Sequence, residues 1–172
     1  SGILFNHESP LRGLEFITRK ITSAAAKIKL GLTDVLEVGN LDAQRDWGYA
    51  KDYVEGMWAM LQHSSPDTFV LSTGSTYTVR EFIVMAFNYC KIDVVFQGRD
   101  SDEVGINCST GKTIVKVNKE FYRPSEVELL IGDSTMAKEK LDWSHKTTLL
   151  ELCKIMIDED ILRYKKDKNF PF

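Results

Sequence analysis

An α/β fold is predicted from three observations. Short apolar runs of strand character alternate with segments of helical period along much of the chain. Thr78-Val79-Arg80-Glu81 and Thr148-Leu149-Leu150-Glu151 both carry the S/T-x-x-E capping signature, in which the hydroxyl and the carboxylate satisfy orphan amides at a helix start. The 172 residues are 43% apolar and 27% charged, the size and composition of one globular domain spanning 1–172.

In chain order, Ile3 to Phe5 reads as a strand, ended by a loop of Asn6-His7-Glu8-Ser9-Pro10 with Arg12-Gly13. Phe16, Ile17, Ile21, Ala24, Ala25, Ile28 and Leu30 recur at helical spacing, with Gly31 as the stop. Val35 to Val38 is a second strand, closed by Gly39-Asn40, and Asp42 to Asp46 a loop ending at Trp47-Gly48. A helix follows over about Ala50–Gln62, with Tyr53, Val54, Met57, Trp58 and Leu61 as its buried face. Phe69 to Ser72 is a buried strand, and the first capping box opens a helix reaching about Cys90. Val94 to Phe96 and Thr113 to Val117 are strands on either side of a polar, glycine-containing excursion over 98–113. In Phe121-Tyr122-Arg123-Pro124 the proline disfavours a helical Arg123. A short helix over Met136 to Leu141 precedes the final one, from the second capping box to about Tyr164, and the tail from Lys165 frays.

Composition excludes several classes of function. A net charge of −3 lacks the basic surplus of a nucleic-acid binder. No stretch approaches a membrane span and no signal segment opens the chain. Cys90, Cys108 and Cys153 fit neither a disulfide framework nor a zinc site, and His7, His63 and His145 share no metal-ligand spacing, so a reducing cytoplasm and no metal are expected. There is no G-x-S-x-G elbow, and neither G-x-G-x-x-G nor G-x-x-x-x-G-K-[ST], so these routes to catalysis or phosphate binding are closed to the chain alone. What remains is a set of loop arginines, Arg12, Arg45 and Arg123, placed among aromatics and prolines. A loop guanidinium suits a fixed, bidentate phosphate contact. Pairing with a neighbouring acid, such as Asp46 or Glu126, explains their spacing equally well. Trp58 reads as core, whereas Trp47 either anchors a loop or lines a base pocket. Glu8 and Glu126 have no visible catalytic partner.

Six blocks, in order, carry a resemblance: Gly2 to Pro10, Phe16 to Lys20, Gly39 to Gly48, Ala50 to Val54, Phe121 to Val127 and Ala137 to Trp143. Together they closely resemble the C-terminal half of the GDP-mannose 4,6-dehydratase family of extended short-chain dehydrogenases/reductases. The resemblance implies the substrate-binding part of that α/β fold, with the N-terminal Rossmann core missing and 1–50 contributing to the junction with it. Ser1-Gly2-Ile3, which reads as a strand under way, agrees with a piece of something longer. The strands at Ile3 to Phe5 and Val35 to Val38 are expected to join or flank the Rossmann sheet.

The family converts GDP-mannose to GDP-4-keto-6-deoxymannose toward GDP-fucose, with NADP taking a hydride from C4 and returning it at C6. By the same resemblance His7 and Arg12 approach NADP, the arginine through phosphate. Asn6, Ile17 and Lys20 border the GDP-sugar, Arg45 and Arg123 hold its diphosphate, and Glu126 accepts from ribose or base. The Tyr-x-x-x-Lys base and glycine-rich loop belong to the N-terminal half, so no catalytic residue is assigned here. Leu11 stands where the family has a first arginine, Tyr49 where it has histidine, and Ser1 where it has asparagine. A homo-oligomer, dimer or tetramer, is implied for the whole enzyme. Two readings stay open: half of an active lyase, or a catalytically inactive, truncated sugar-nucleotide-binding or subunit-association module. A different nucleotide-sugar epimerase or dehydratase is disfavoured by the Arg-Asp-Trp-Gly and Tyr-Arg-Pro-x-Glu blocks.

Overall fold

A computed structural model of the chain describes residues 1–121 and 129–168. The Tyr-Arg-Pro block, with Arg123 and Glu126, lies outside them, as does the end of the tail. Three helices, α1 (Ile17–Lys29), α3 (Val79–Tyr89) and α5 (Leu149–Lys166), pack on one another around the main core. Ile21, Ala25, Phe82, Ile83, Ala86, Phe87, Leu152, Met156 and Ile157 are fully buried there. The helices begin and end where local chemistry dictates. Thr78 accepts from the Glu81 amide and Thr148 from the Glu151 amide, with both glutamates bonding back. After α1, Gly31 takes φ +69, Leu32 N–H donates to the Lys27 carbonyl at 2.9 Å, and Gly31 N–H to Ile28 at 3.1 Å. That is the paired bonding of a left-handed helix stop, which glycine accommodates without steric cost.

Among the described residues the strands form four small sheets rather than one. β1 (Gly2–Leu4) pairs in parallel with β6 (Phe69–Leu71), and β2 (Asn6–Glu8) in parallel with β5 (Trp47–Tyr49). β4 (Gln44–Arg45) lies between β7 (Tyr77–Thr78) and β11 (Leu129–Leu130). β3 (Leu36–Val38), β10 (Thr113–Val117), β9 (Val104–Asn107) and β8 (Val94–Gln97) make a four-stranded sheet in that order. The expected excursion over 98–113 thus contains β9, which pairs antiparallel with both β8 and β10. β3 is occupied by β10 in a sheet separate from β1, and its Leu36 and Val38 are buried within this chain. It does not join the β1 sheet.

Two further expectations are corrected. Asn6–Glu8 and Gln44–Tyr49 are largely strand, not loop, because their pairing is long-range and their side chains need not alternate in polarity when each short strand is buried unevenly. On α2 (Ala50–Gln62) the buried positions are Asp52, Tyr53 and Gly56, while Val54 (58%), Trp58 (66%) and Leu61 (82%) are exposed. Gly56 explains the rotation: a Cβ there would sit 2.6 Å from Leu71 Cδ1 and 2.9 Å from Trp143 Nε1, so the bare backbone is the face that approaches β6. Tyr53, Phe69, Leu71, Trp143 and Ala137 of α4 (Thr135–Leu141) form this second core. Trp58 is not part of it.

Candidate functional site

The parallel pairing of β2 with β5 sets Asn6 opposite Trp47, His7 opposite Gly48 and Glu8 opposite Tyr49. Asn6 and His7 thereby stand beside the strand that follows Arg45. His7 Nδ1 lies 2.9 Å from the Phe5 carbonyl. A carbonyl can only accept, so Nδ1 carries a proton, and it is in the neutral tautomer with that proton that Nε2 is an acceptor. The ring stacks on Tyr53, with centroids 5.4 Å apart and planes 25° apart. Gly48 makes that approach possible: a Cβ there would lie 2.4 Å from Tyr53 Cε2 and 2.8 Å from its hydroxyl. Among the described residues the buried Tyr53 hydroxyl has no hydrogen-bond partner, and burial, with Asp46, Asp52 and Glu8 nearby, pushes its pKa well above the ordinary tyrosine value.

Arg12 sits in the turn after β2. Its N–H donates to the Ser9 carbonyl at 3.0 Å, and the Pro10 carbonyl accepts from Arg19 Nε at 3.3 Å and Arg163 Nη1 at 2.6 Å. Arg19 is itself held by Asp160, at 2.6 Å. The turn is therefore fastened to α1 and α5 at once. The Arg12 guanidinium lies 3.4 Å over the Phe16 ring, and its Nε is 3.3 Å from the Glu8 carboxylate. Leu11 beside it is 86% exposed.

Ile17 and Lys20 stand on α1. Lys20 Nζ lies 3.8 Å over the Phe121 ring, at the last described residue before the segment that holds Arg123. Burial pushes the Lys20 pKa down, against the opposing pull of Glu37. A cleft of about 410 Å³ runs past Lys20, Ser23, Lys27, Leu36 and Glu37. The larger cavity, about 590 Å³ between α2 and the Leu141–Trp143 corner, contains none of the candidate residues.

Arg45 lies on β4, where its Nη1 donates to the Gln44 carbonyl at 2.8 Å. Of the two acids expected as alternatives, Asp46 makes no ion pair with it among the described residues, and Glu126 lies outside them. Asp46 is fully buried, and its oxygens accept from Thr73 N–H (2.9 Å), Thr73 Oγ1 (2.7 Å), Gly74 N–H (2.9 Å) and Gly132 N–H (3.5 Å). The acid that follows Arg45 in sequence fixes loops instead. Asn6, His7 and Arg12 thus share one strand and its turn, with Arg45 reached through the β2–β5 pairing and Lys20 lying over Phe121. Arg123 and Glu126 are outside the described residues. Sequence reasoning left Glu8 without a partner; the i,i+4 spacing of Glu8 and Arg12 was the signal available. Among the described residues no group of histidines, cysteines and acids is placed to hold a metal.

The family model described as GDP-mannose 4,6 dehydratase matches residues 1–156. A GDP-mannose 4,6-dehydratase of Sinorhizobium fredii (strain HH103) is 51% identical over 161 residues, covering 94% of this chain and 46% of that protein. The Homo sapiens GDP-mannose 4,6 dehydratase is 47% identical over 169 residues, covering 98% of this chain and 45% of that protein. The chain spans under half the length of these curated relatives. Among solved structures, RMD from Pseudomonas aeruginosa complexed with NADPH superposes with a TM-score of 0.77 at 18% identity, over 94% of this chain and 48% of the other. UDP-glucose 4-epimerase from Bifidobacterium longum in complex with NAD+ and UDP gives 0.67 at 18% identity, over 98% and 48%. At such identities the likeness is one of fold, over about half of each of those chains.

Proposed function

The chain belongs to the GDP-mannose 4,6-dehydratase family, and from that premise we propose that it is the sugar-nucleotide half of an enzyme that converts GDP-mannose to GDP-4-keto-6-deoxymannose. The activity is that of a lyase at the entrance to GDP-fucose synthesis in the cytoplasm, and the enzyme works as a homo-oligomer. Residues 1–50 meet the Rossmann half that the relatives carry. Among the described residues no helix is long and apolar enough to cross a membrane.

The observation that carries this reading is the Arg12 turn. Its guanidinium has a carboxylate at Nε and an aromatic ring beneath it, while among the described residues its Nη groups donate to nothing. Such a fork, next to a histidine whose Nε2 is an acceptor, fits a phosphorylated nicotinamide cofactor, NADP, with Arg12 on a phosphate and His7 accepting from a hydroxyl. NADP, when bound, supplies a hydride acceptor for C4 and returns the hydride at C6. The chain's own residues bind and orient. Asn6 stands between cofactor and sugar, Ile17 and Lys20 border the nucleoside cleft, and Arg45 and Arg123 hold the diphosphate while Glu126 accepts from ribose or base. Asp46 accepts from Thr73, Gly74 and Gly132, and so fastens the loops beside β4 on which Arg45 stands.

Titration of GDP into the native protein tests the reading. Arg45→Ala and Arg123→Ala should each weaken binding by about 1.5–3 kcal/mol, the range for hydrogen bonds to charged groups. Parental affinity in both variants would remove the anion-ligand assignment. GDP binding without turnover of GDP-mannose would leave a binding module in place of an enzyme.

A further inference from the structure

The Arg12 side chain is held more closely than a surface arginine needs to be. Its partner Glu8 is 1% exposed, on the strand that carries Asn6 and His7. One Glu8 oxygen, Oε2, accepts from Thr18 Oγ1 at 2.5 Å and lies 3.3 Å from Arg12 Nε. That Nε is buried and makes no aligned hydrogen bond among the described residues, so the contact with Glu8 is an ion pair. The Phe16 ring closes one face of the guanidinium. Only the two Nη groups remain with donors to spare among the described residues, and the side chain as a whole is 24% exposed.

We propose that Glu8 is the positioning residue of Arg12: its buried carboxylate holds the Nε end of the guanidinium so that both Nη groups meet a cofactor phosphate as a fork. This rests on the reading of Arg12 as a ligand of that phosphate. The physical case is preorganisation. An arginine that must be ordered on binding loses rotamer freedom at that moment, whereas one already seated between a carboxylate and a ring does not. The carboxylate in turn has few other partners. The groups facing it are Arg12 from the turn, His7 from its own strand, Thr18 from α1 and Tyr53 from α2. Of these only Arg12 is a permanent cation. A buried carboxylate left without it would be an unpaired charge, which is costly. Burial raises the Glu8 pKa, and Thr18, Arg12 and His7 oppose that rise.

The competing role is structural, with Glu8 merely tying β2 to α1 through Thr18. Glu8→Gln separates the two, because the amide still accepts from Thr18 but carries no charge toward Arg12. NADPH affinity is measured by direct titration of the protein as its gene encodes it, for the parent, Glu8→Gln, Arg12→Ala and the double variant. Glu8→Gln should weaken NADPH binding about tenfold, the order of a contacting pair's coupling. Arg12→Ala should lose at least as much, and the double variant no more than Arg12→Ala alone. Glu8→Asp, which keeps the charge, should recover part of the loss, and it runs the same cycle if Glu8→Gln does not fold. Parental affinity in Glu8→Gln with a loss in Arg12→Ala would overturn the positioning role and leave the phosphate reading standing. A Glu8→Gln loss that persists undiminished beside Arg12→Ala would assign Glu8 to the fold and also overturn it. Parental affinity in Arg12→Ala would remove the phosphate reading, and the positioning role with it.

Discussion

Burial separates the three cysteines into two chemical kinds. Cys90 and Cys153 are buried, and their thiol pKa values are pushed up by desolvation to about 11 and about 12; Cys108 is exposed. Iodoacetamide on the native protein at pH 8 should therefore alkylate Cys108 and spare the other two, read by peptide mass mapping; native-state labelling of Cys153 would contradict the core packing. The linkage sign follows from the same shifts. Folding favours the protonated thiols, so their contribution is complete below the unfolded thiol pKa, near 8.5–9, and is lost as pH rises through 11 and 12. Gly48 is a second residue whose neighbours set its identity. A methyl there meets the Tyr53 ring, so Gly48→Ala should cost about 1–3 kcal/mol in a denaturant melt and shift the His7 ring that rests on Tyr53.

At the scale of elements, the clamp between α1 and α5 is the feature on which the site depends. Asp160 is fully buried and binds Arg19 at 2.6 Å and Thr22 Oγ1 at 2.9 Å, while Arg19 and Arg163 both reach the Pro10 carbonyl. Asp160→Ala strands the buried Arg19, and should cost about 3–5 kcal/mol by chemical denaturation. Because the clamp also holds the turn, NADPH affinity should fall with it; unchanged stability would mean that Arg19 finds water or another acceptor. The helices themselves were legible from the chain. Both capping boxes and the glycine stop after α1 are local signatures, complete within a few residues, and all three stand where the pattern puts them. The strands Asn6–Glu8 and Trp47–Tyr49 were not, since each is a strand only through the other, some forty positions away. On α2 the apolar residues misled because the approach to β6 is set by the absence of a side chain at Gly56, to which a hydrophobicity pattern is blind. Arg12 and Arg45 were legible as candidate anion ligands from their surroundings, whereas the buried carboxylate beside Arg12 becomes meaningful only once Thr18, Phe16 and the turn are assembled around it.

On the scale of the whole molecule, β1 and β6 form, among the described residues, a parallel sheet of two strands. Parallel strands are ordinarily covered on both faces and belong to larger sheets, because two alone bury too little to offset the ordering of the backbone. Here the outer side of β1 has no partner among the described residues, and Ile3 is 52% exposed. An open, apolar edge of that kind is a template for another strand. Under the proposed function that strand comes from the Rossmann half, which makes the junction at the start of the chain measurable without any ligand. In hydrogen exchange on the native protein, the peptide covering Gly2–Leu4 should be protected as strongly as the one covering Phe69–Leu71, since a strand paired on both sides has no edge left to exchange. Where the 172 residues alone yield a folded protein, the same peptide should exchange much faster than β6, and Ile3→Lys should leave its stability nearly unchanged, because Ile3 is already half in water. Fast exchange of Gly2–Leu4 in the native protein would show that β1 stays an edge there, and would move the junction with the Rossmann half to another face of the chain.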